Sequence, residues 1–373
     1  MNAPGLYIHI PFCRSKCHYC SFYSTTSLDL AENFLDALRR EMDIYRTSFP
    51  GFDTIYIGGG TPSVLSIENL ETILDGAANR FTVDSRAEIT VEVNPADIDL
   101  IGLKALRNMG INRINIGAQS FDEDILKFLG RRHNRREALS ALTAVERAGF
   151  DNIGMDLIYG VPGQEITSWT DTLRLALSFN PAHLSCYQLT VEPETPLGIR
   201  QAKGEIFLPD EETLADLFFQ TSGITEKAGY IHYEVSNFAR NLELQSRHNQ
   251  KYWDHTPYLG LGPAAHSFDG CRRWWNYPSL PAYIKDLEKE TPPVAASETL
   301  ADEQLRLEAL FLGLRTKSGI RLQDYKLRYG YDLLSEKAEI ISLLAERGLV
   351  KIKNGCLKPT LVGMAVADSL ALI

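Results

Sequence analysis

Six short runs of apolar and β-branched residues alternate with longer amphipathic stretches through the first half of the chain. The runs are GLYIHI, TIYIGG, EITVEV, RINIGAQ, IGMDLIYG and HLSCYQLT, which occupy residues 5–10, 54–59, 88–93, 113–119, 153–160 and 183–190. The stretches between them, at 29–47, 66–80, 99–108, 135–148 and 165–178, have the length of helices. Strands that alternate with helices are typical of a parallel β/α sheet, so the sequence predicts an α/β fold.

The first predicted helix has apolar residues three or four positions apart, at Phe34, Leu38, Met42 and Tyr45. This spacing places them on one helix face, as ordinary core packing requires. Six strand and helix units are two fewer than the eight that close a β/α barrel.

The second half of the chain has a different pattern. We predict a helix at about 210–229, an added edge strand in IHYEVSNFA at 231–239, and a long aromatic loop region over 240–282. From 299 onward, three amphipathic helices and the hairpin-like LVKIKNGCLKP resemble a winged-helix module. The predicted domains are therefore 1–190, 191–298 and 299–373.

Composition and charge limit the class of protein. The 373 residues are 44% hydrophobic and 23% charged, and the net charge of -10 argues against broad nucleic-acid binding, which needs a basic surface. No run of about 18 apolar residues and no signal-peptide pattern is present, so membrane association is expected to be peripheral at most. We expect a cytoplasmic protein, in which cysteines stay reduced.

Three of the six cysteines lie close together in CRSKCHYC, at Cys13, Cys17 and Cys20. A zinc site would need a fourth ligand, for which only His9 and His18 are near, and a redox pair would leave the third cysteine unexplained. A [4Fe-4S] cluster with one iron free to bind a small molecule accounts for three thiolates. The isolated cysteines are expected to be small buried residues without a role; they are Cys186, Cys271 and Cys356.

Polar residues follow several of the predicted strands. The turn GGGT at 58–61, Glu92, Gln119 and Asp156 all stand at or near strand ends, where β/α barrels gather their active sites. A buried carboxylate needs a partner, and the ammonium or hydroxyl groups of a ligand would serve. Pairing inside the protein remains an alternative for each of these residues.

The C-x3-C-x2-C spacing, with Tyr19 before the last cysteine, resembles the radical S-adenosylmethionine (SAM) superfamily. The segments YIHIPFCRSKCHYCSF, GGGTPS, VEVNP, GAQSF, DLIYGVPGQ and HNQKYW, in this order, resemble the oxygen-independent coproporphyrinogen III oxidase group and its HemW branch of haem chaperones. The resemblance spans nearly the whole chain. It implies an open six-stranded (β/α)6 partial TIM barrel, a cluster loop after the first strand and a C-terminal winged-helix-like domain.

The resemblance also implies a set of residues that contact SAM, in which Arg131 pairs with the carboxylate of SAM. Arg132, Arg135 and Arg136 are interpreted as surface residues. The full set of predicted SAM contacts comprises Tyr7, Tyr19, Gly59, Gly60, Thr61, Glu92, Gln119, Arg131, Asp156 and Gln188.

Two functions fit this group. One is the radical decarboxylation of porphyrinogen propionates, and the other is the binding of haem and its delivery to target haemoproteins. The decarboxylating relatives have a fourth cysteine where this chain has Phe22, and an N-terminal extension that is missing here, whereas HNQKYW at 248–253 matches the HNxxYW signature of the chaperone branch. We therefore favour the haem chaperone over the oxidase. The resemblance further implies a reductant such as flavodoxin or ferredoxin, and allows a homodimer.

Haem is predicted to bind around HNQKYW, with His248 as the iron ligand. Tyr252 and Trp253 could supply ring-stacking surface. Two nearby histidines, His255 and His266, are rival ligands. A further pair, Arg272 and Arg273, could meet the haem propionates.

Overall fold

A twelve-stranded sheet forms the body of the computed structural model, which describes residues 3–370. The strand order is β12-β11-β10-β9-β1-β2-β3-β4-β5-β6-β8-β7. The strands are β1 Gly5–Ile10, β2 Phe52–Gly59, β3 Val83–Val93, β4 Arg113–Gln119, β5 Asn152–Tyr159, β6 His183–Gln188, β7 Ile231–His232, β8 Asn237–Ala239, β9 Tyr258–Leu261, β10 His266–Phe268, β11 Arg272–Asn276 and β12 Val294–Thr299.

The six predicted strands are confirmed as β1 to β6, and each pairs in parallel with the next. The five predicted helices between them are also confirmed. The helices of the barrel region are α1 Ala31–Ile44, α2 Ile67–Arg80, α3 Leu100–Asn108, α4 Glu123–Leu129, α5 Arg135–Arg147, α6 Ile166–Ser178, α7 Pro196–Ala202, α8 Glu211–Lys227, α9 Arg247–Trp253 and α10 Leu280–Glu288.

The two faces of the curved sheet differ in polarity. In β1, Leu6, Ile8 and Ile10 are fully buried in the core that includes Phe34 and Leu38 of α1. The residues between them in β1 point to the opposite face, because side chains alternate along a strand. That inner face carries many hydrogen-bonding side chains, so polar residues fill much of the barrel interior.

The region 240–282 is more ordered than the sequence predicted. It contains α9 and strands β9 to β11, and β9 runs parallel to β1, so seven adjacent strands are parallel. β10, β11 and β12 then continue the sheet in antiparallel order. The expectation of a long loop was wrong because these strands are only three to five residues long and give a weak pattern.

The edge strand predicted in IHYEVSNFA is a short hairpin. β8 pairs antiparallel with β6, and β7 pairs antiparallel with β8. The chain between β7 and β8 carries the buried Glu234.

The C-terminal part has its own small core, which includes Leu310, Leu314, Tyr325, Ile341 and Leu357. Its three-stranded antiparallel sheet has the order β13-β15-β14, and the turn between β14 and β15 has positive φ at Asn354 and Gly355, which favours a tight hairpin. Helices and this hairpin give the winged-helix-like arrangement that was predicted. The elements are α11 Asp302–Gly313, β13 Ile320–Arg321, α12 Leu322–Tyr329, α13 Leu333–Glu336, α14 Ala338–Glu346, β14 Val350–Lys353, β15 Cys356–Pro359, α15 Leu361–Ala365 and α16 Ala367–Leu370.

Within residues 3–370, no helix combines the length and the apolar character needed to cross a bilayer. The division of the chain into 1–190, 191–298 and 299–373 stays a prediction.

Candidate functional site

A cavity of about 430 Å³ opens at the carboxyl ends of the parallel strands. It brings together the cluster loop and all but one of the predicted SAM contacts, Tyr7 being the exception. The predicted residues that line it are Cys13, Cys17, Tyr19, Cys20, Gly59, Gly60, Thr61, Glu92, Gln119, Arg131, Asp156 and Gln188.

The cluster loop is fixed by contacts at both ends. The backbone N–H of Cys13 donates to the carbonyl of Thr25 at 2.9 Å, and the Cys13 thiol lies 3.3 Å from Oγ1 of Thr61. Further along, the N–H of His18 donates to the carbonyl of Leu129 at 3.1 Å. All three cysteines are free thiols and line the cavity, as cluster ligands must.

The two histidines of the zinc alternative are engaged elsewhere. Nε2 of His9 lies 2.9 Å from the carbonyl oxygen of Tyr23, and Nδ1 of His18 lies 3.0 Å from that of Phe128. No three His, Cys, Asp or Glu side chains of residues 3–370 converge as the ligands of a single metal ion do. A cluster does not require such convergence, because each thiolate binds a different iron.

The glycine run after β2 packs tightly against the cluster loop. A Cβ atom on Gly60 would lie 2.6 Å from the carbonyl oxygen of Phe12, and Gly59 has a φ of +104° that favours glycine. The backbone N–H groups of Gly60 and Thr61 donate to the carbonyls of Ile10 and Phe12. Glycine is therefore needed here for close approach of the two loops, whatever ligand the turn contacts.

Glu92 near the end of β3 is held by its neighbours. The hydroxyl of Tyr56 donates to Oε1 of Glu92 at 2.7 Å, and a Cβ atom on Gly58 would lie 2.9 Å from the Glu92 carboxyl carbon. Burial raises the pKa of Glu92 to about 7, although the bond from Tyr56 opposes the shift. The side chain is thus poised to gain or lose a proton near neutral pH.

Asp156 in β5 has one bonded and one unpartnered oxygen. Asn115 of β4 donates to Oδ2 at 2.6 Å, while Oδ1 is buried without a partner among the described residues. Burial raises the pKa of Asp156 to about 6. An unpartnered buried carboxylate oxygen that lines a cavity suits a hydrogen-bond donor of a ligand.

Gln119 and Arg131 share the space beside a glycine. Gln119 has a φ of +65°, and the pairing of β4 with β5 shifts register just before it, as bulges near active sites do. A Cβ atom on Gly117 would lie 2.9 Å from Nε2 of Gln119 and 3.3 Å from Nη2 of Arg131. Arg131 donates to the Gly117 carbonyl at 2.7 Å and to Sγ of Cys17 at 3.4 Å, and its Nε is unpartnered within the described chain.

Arg132 is exposed, as predicted, and it also pairs with a buried carboxylate. Its Nη1 lies 2.9 Å from both carboxylate oxygens of Asp97, whose side chain is buried, and Arg14 of the cluster loop also bonds Asp97. The sequence could not reveal this pairing because Asp97 is 35 residues away.

Tyr187 is a cavity residue that sequence reasoning missed. It lies near the end of β6, one position before Gln188, and 39% of its surface is exposed. Its position beside a predicted contact was the only signal available in the sequence.

Tyr7 lies on the inner face of β1, deeper in the barrel than the cavity. Its hydroxyl is 3.0 Å from Nδ1 of His9, and its ring centroid is 6.3 Å from that of Tyr56 and 6.4 Å from that of His248. The predicted contact of Tyr7 with SAM stays a prediction, and the geometry places Tyr7 behind the cavity wall.

His248 lies at the end of the barrel opposite the cluster loop. Its ring is 2.9 Å from Oγ1 of Thr54 through Nδ1 and 2.9 Å from the hydroxyl of Tyr252 through Nε2. Thr54 precedes Gly59 by five residues of β2, which corresponds to about 16 Å along a strand. Ser246 caps α9, and Glu88 accepts the N–H of His248.

This geometry is unfavourable to His248 as a haem ligand. The residue is 1% exposed, and both ring nitrogens already have partners. Burial, and then the nearby Lys251, lower the pKa of His248 to about 3. Iron binding would require the loss of a hydrogen bond and the opening of the barrel end.

The rival histidines differ in access. His255 is buried, with Nδ1 3.3 Å from the Tyr329 hydroxyl and Nε2 3.2 Å from Glu308. His266 is exposed on β10 and stacks on Trp275, with ring centroids 5.6 Å apart. Partial burial and then Arg273 lower the pKa of His266, which favours the neutral imidazole that binds iron.

The predicted contact of Arg272 and Arg273 with haem propionates stays a prediction, and the two side chains have different surroundings. Neighbouring residues of a strand point to opposite faces, and Arg272 lies over the ring of Trp274. Arg273 is on the face of His266 and Trp275, where it pairs with Glu298 at 3.4 Å and with Glu308 at 2.5 Å.

Two family models match this chain and define its class. The Radical SAM superfamily model matches residues 7–176, and the HemN C-terminal domain model matches residues 300–366. Coproporphyrinogen III oxidase (HemN) from Escherichia coli has a similar structure, with a TM-score of 0.85 at 24% identity over 99% of this chain and 89% of that chain. The chain has the fold of a radical SAM protein with a HemN-type C-terminal domain.

Curated relatives narrow the class further. The heme chaperone HemW of Bacillus subtilis is 37% identical over 351 residues, which cover 92% of each chain. The heme chaperone HemW of Escherichia coli is 40% identical over 268 residues, which cover 70% of this chain and 69% of the relative. The chain belongs to the HemW family.

Proposed function

We propose that this protein is a haem chaperone that binds haem, delivers it to recipient haemoproteins, and carries SAM beside a [4Fe-4S] cluster. The observation that carries the proposal is the cavity that joins three free thiols to charged and polar side chains. The names of the HemW relatives support the haem function.

The residues of the cavity fit a cluster and SAM. Three thiolates would hold three irons and leave the fourth open to SAM, and the cluster, when bound, supplies an electron for reductive chemistry. Arg131 is suited to the SAM carboxylate, since its Nε lacks a partner within residues 3–370. Glu92 and Asp156 are suited to the ammonium or ribose groups of SAM. The electron would come from a reductant such as flavodoxin or ferredoxin.

Geometry favours His266 over His248 as the haem ligand. Of the eight histidines, all of which lie in the described range, His266 is the exposed one. Trp275 beside it offers an aromatic face for a porphyrin ring. In the HNQKYW segment, from which the ligand was predicted, His248 is 1% exposed.

Parallel assays of haem transfer and of decarboxylation test the proposal. Protein reconstituted anaerobically with iron and sulfide is loaded with haem and mixed with an apo-haemoprotein of distinct Soret spectrum. We expect the Soret band of the recipient to grow in, and no decarboxylation when coproporphyrinogen III, SAM and a reductant are supplied. Turnover of coproporphyrinogen without haem transfer would favour the oxidase alternative.

A further inference from the structure

A second cavity, of about 500 Å³, lies between α9, the β7–β8 hairpin and the C-terminal region. This volume is within the range of small-molecule sites, about 300 to 1,000 Å³. Three parts of the chain supply its wall, namely the end of β6 with the β7–β8 hairpin, helix α9, and the C-terminal region. The lining residues are Tyr187, Glu234, Val235, Ser236, Asn237, Asn249, Tyr252, Trp253, Arg315 and Asp368.

The HNQKYW segment supplies three of these residues. Asn249, Tyr252 and Trp253 are spaced as i, i+3 and i+4 on α9, so they share one helix face. His248 does not line the cavity, but its Nε2 lies 2.9 Å from the Tyr252 hydroxyl. The motif therefore builds a cavity wall, and His248 is a positioning residue for Tyr252.

Two buried oxygen atoms of the wall have no hydrogen-bond partner among the described residues. Glu234 is 1% exposed and accepts a 3.2 Å bond from the N–H of Ser236 through Oε2, whereas its Oε1 is unpartnered within residues 3–370. Oδ1 of Asn237 is likewise buried and has no partner in the same range. Burial raises the pKa of Glu234 to about 7, so above that pH the wall presents two acceptor groups whose burial is costly without a donor.

Arg315, the positively charged residue of the cavity wall, does not pair with Glu234. Arg315 bonds Asp368 and the carbonyl oxygen of Phe311, and its guanidinium lies over the Phe311 ring. No ion pair to Glu234 is formed in the described part of the chain. A cationic ligand that enters the cavity would pair with Glu234.

Tyr187 connects the second cavity to the cluster cavity, because it lines both. Together with Tyr252 and Trp253 it gives the second cavity three aromatic side chains. Aromatic faces attract cations, and a planar guanidinium stacks on them especially well.

We propose that the second cavity binds a guanidinium or amidinium cation, whose N–H groups bond Glu234 and Asn237 and whose plane packs on the aromatic wall. A carboxylate ligand such as a haem propionate is disfavoured beside Glu234. The site is therefore distinct from haem binding and goes beyond the chaperone function.

Calorimetry of the full-length protein, at a pH well above the raised pKa of Glu234, tests this site with n-butylguanidinium and its uncharged isostere n-butylurea. The wild type is expected to bind butylguanidinium at least tenfold more tightly than butylurea. Glu234→Gln is expected to lose at least tenfold in affinity for the cation. Glu226→Gln, which alters a carboxylate that pairs with Lys317 outside the cavity, should leave that affinity unchanged.

Trp253→Leu removes part of the aromatic wall without touching the carboxylate, and should also weaken binding of the cation. Each variant is first checked by thermal unfolding. Equal affinity for the two probes, undiminished affinity in a folded Glu234→Gln variant, or no binding at all would overturn the proposal.

A second probe separates two sources of the cation. A blocked tripeptide with a central arginine should bind more tightly than butylguanidinium where a partner protein provides the group. Equal or weaker binding of the tripeptide points to a free small molecule, and either result supports a cation site. A haem titration of Glu234→Gln should be unchanged, which keeps this test separate from the haem function.

Discussion

The hydroxyl of Tyr56 donates a 2.7 Å hydrogen bond to Glu92, while the ring of the same tyrosine packs against His248 with centroids 5.1 Å apart. Tyr56 therefore spans the barrel interior from the cluster cavity to the HNQKYW helix. The carboxylate that faces the proposed SAM site is held from behind by this side chain. Substitution of Tyr56 or His248 is therefore expected to affect the Glu92 side chain.

SAM affinity should rise with pH as Glu92 loses its proton. Burial raises the pKa of Glu92 to about 7, and only the ionised carboxylate attracts the cationic groups of SAM. Affinity is thus expected to be low at pH 6, to increase through pH 7 and to level off near pH 8. Equilibrium dialysis of SAM with the reconstituted protein over this range measures the effect.

Two variants test whether the pH dependence of SAM affinity comes from Glu92. Glu92→Gln should bind SAM weakly and without this pH dependence. Tyr56→Phe removes a bond that lowers the pKa of Glu92, so the midpoint of the rise should move to higher pH. A pH profile that is the same in all three proteins would assign the titration to another group.

Cluster assembly should depend on three cysteines alone. Cys13→Ala, Cys17→Ala and Cys20→Ala are each expected to abolish the cluster, since each thiolate holds one iron. Cys186→Ala is the control, because Cys186 is buried in the core away from the cavity and burial raises the pKa of its thiol. Iron and labile sulfide analysis after anaerobic purification should give about four of each per chain in the wild type and in Cys186→Ala. One zinc without labile sulfide would contradict the cluster.

Arg131→Ala should weaken SAM binding by about 2 to 5 kcal/mol, as expected when one partner of a buried charge pair is removed. Arg136→Ala serves as the matched control, because Arg136 is exposed near the start of α5. Calorimetry with SAM measures both, after the cluster content of each variant has been verified. Unchanged affinity in Arg131→Ala would remove this residue from the site.

Hydrophobic pattern was sufficient to predict the six parallel strands and the helices between them, because these elements bury continuous apolar faces. It was insufficient for buried polar residues whose partners are distant in sequence. Glu41, on the predicted core face of α1, is fully buried and accepts bonds from Tyr283 at 2.6 Å, from Asn276 at 2.5 Å and from the N–H of Gly262 at 2.8 Å. These partners lie more than 200 residues away, and no local pattern marks them.

The sequence likewise predicted some residues of the candidate site but not the residues that hold them. Strand ends identified Glu92, Gln119 and Asp156, since parallel strands bring their carboxyl ends to one edge. The side chains that hold two of them, Tyr56 and Asn115, depend on cross-strand register, which the sequence does not specify. The burial of His248 was also not predictable from the sequence, because it results from the placement of α9 at the far end of the barrel.

The haem affinity of alanine variants should show which of the three candidate histidines binds the iron. His266→Ala is expected to lose haem, because His266 is exposed and stacked on Trp275, whereas His248→Ala and His255→Ala should retain it. Both of these buried histidines pack in the interior, so their variants are expected to be less stable by about 1 to 3 kcal/mol, the cost of leaving a buried partner unsatisfied. Soret titration at fixed pH, with thermal unfolding and cluster content measured on each variant, distinguishes loss of a ligand from loss of fold. Loss of haem confined to His248→Ala in a folded protein would restore the ligand to the HNQKYW helix, and would imply that α9 leaves the barrel end when haem binds.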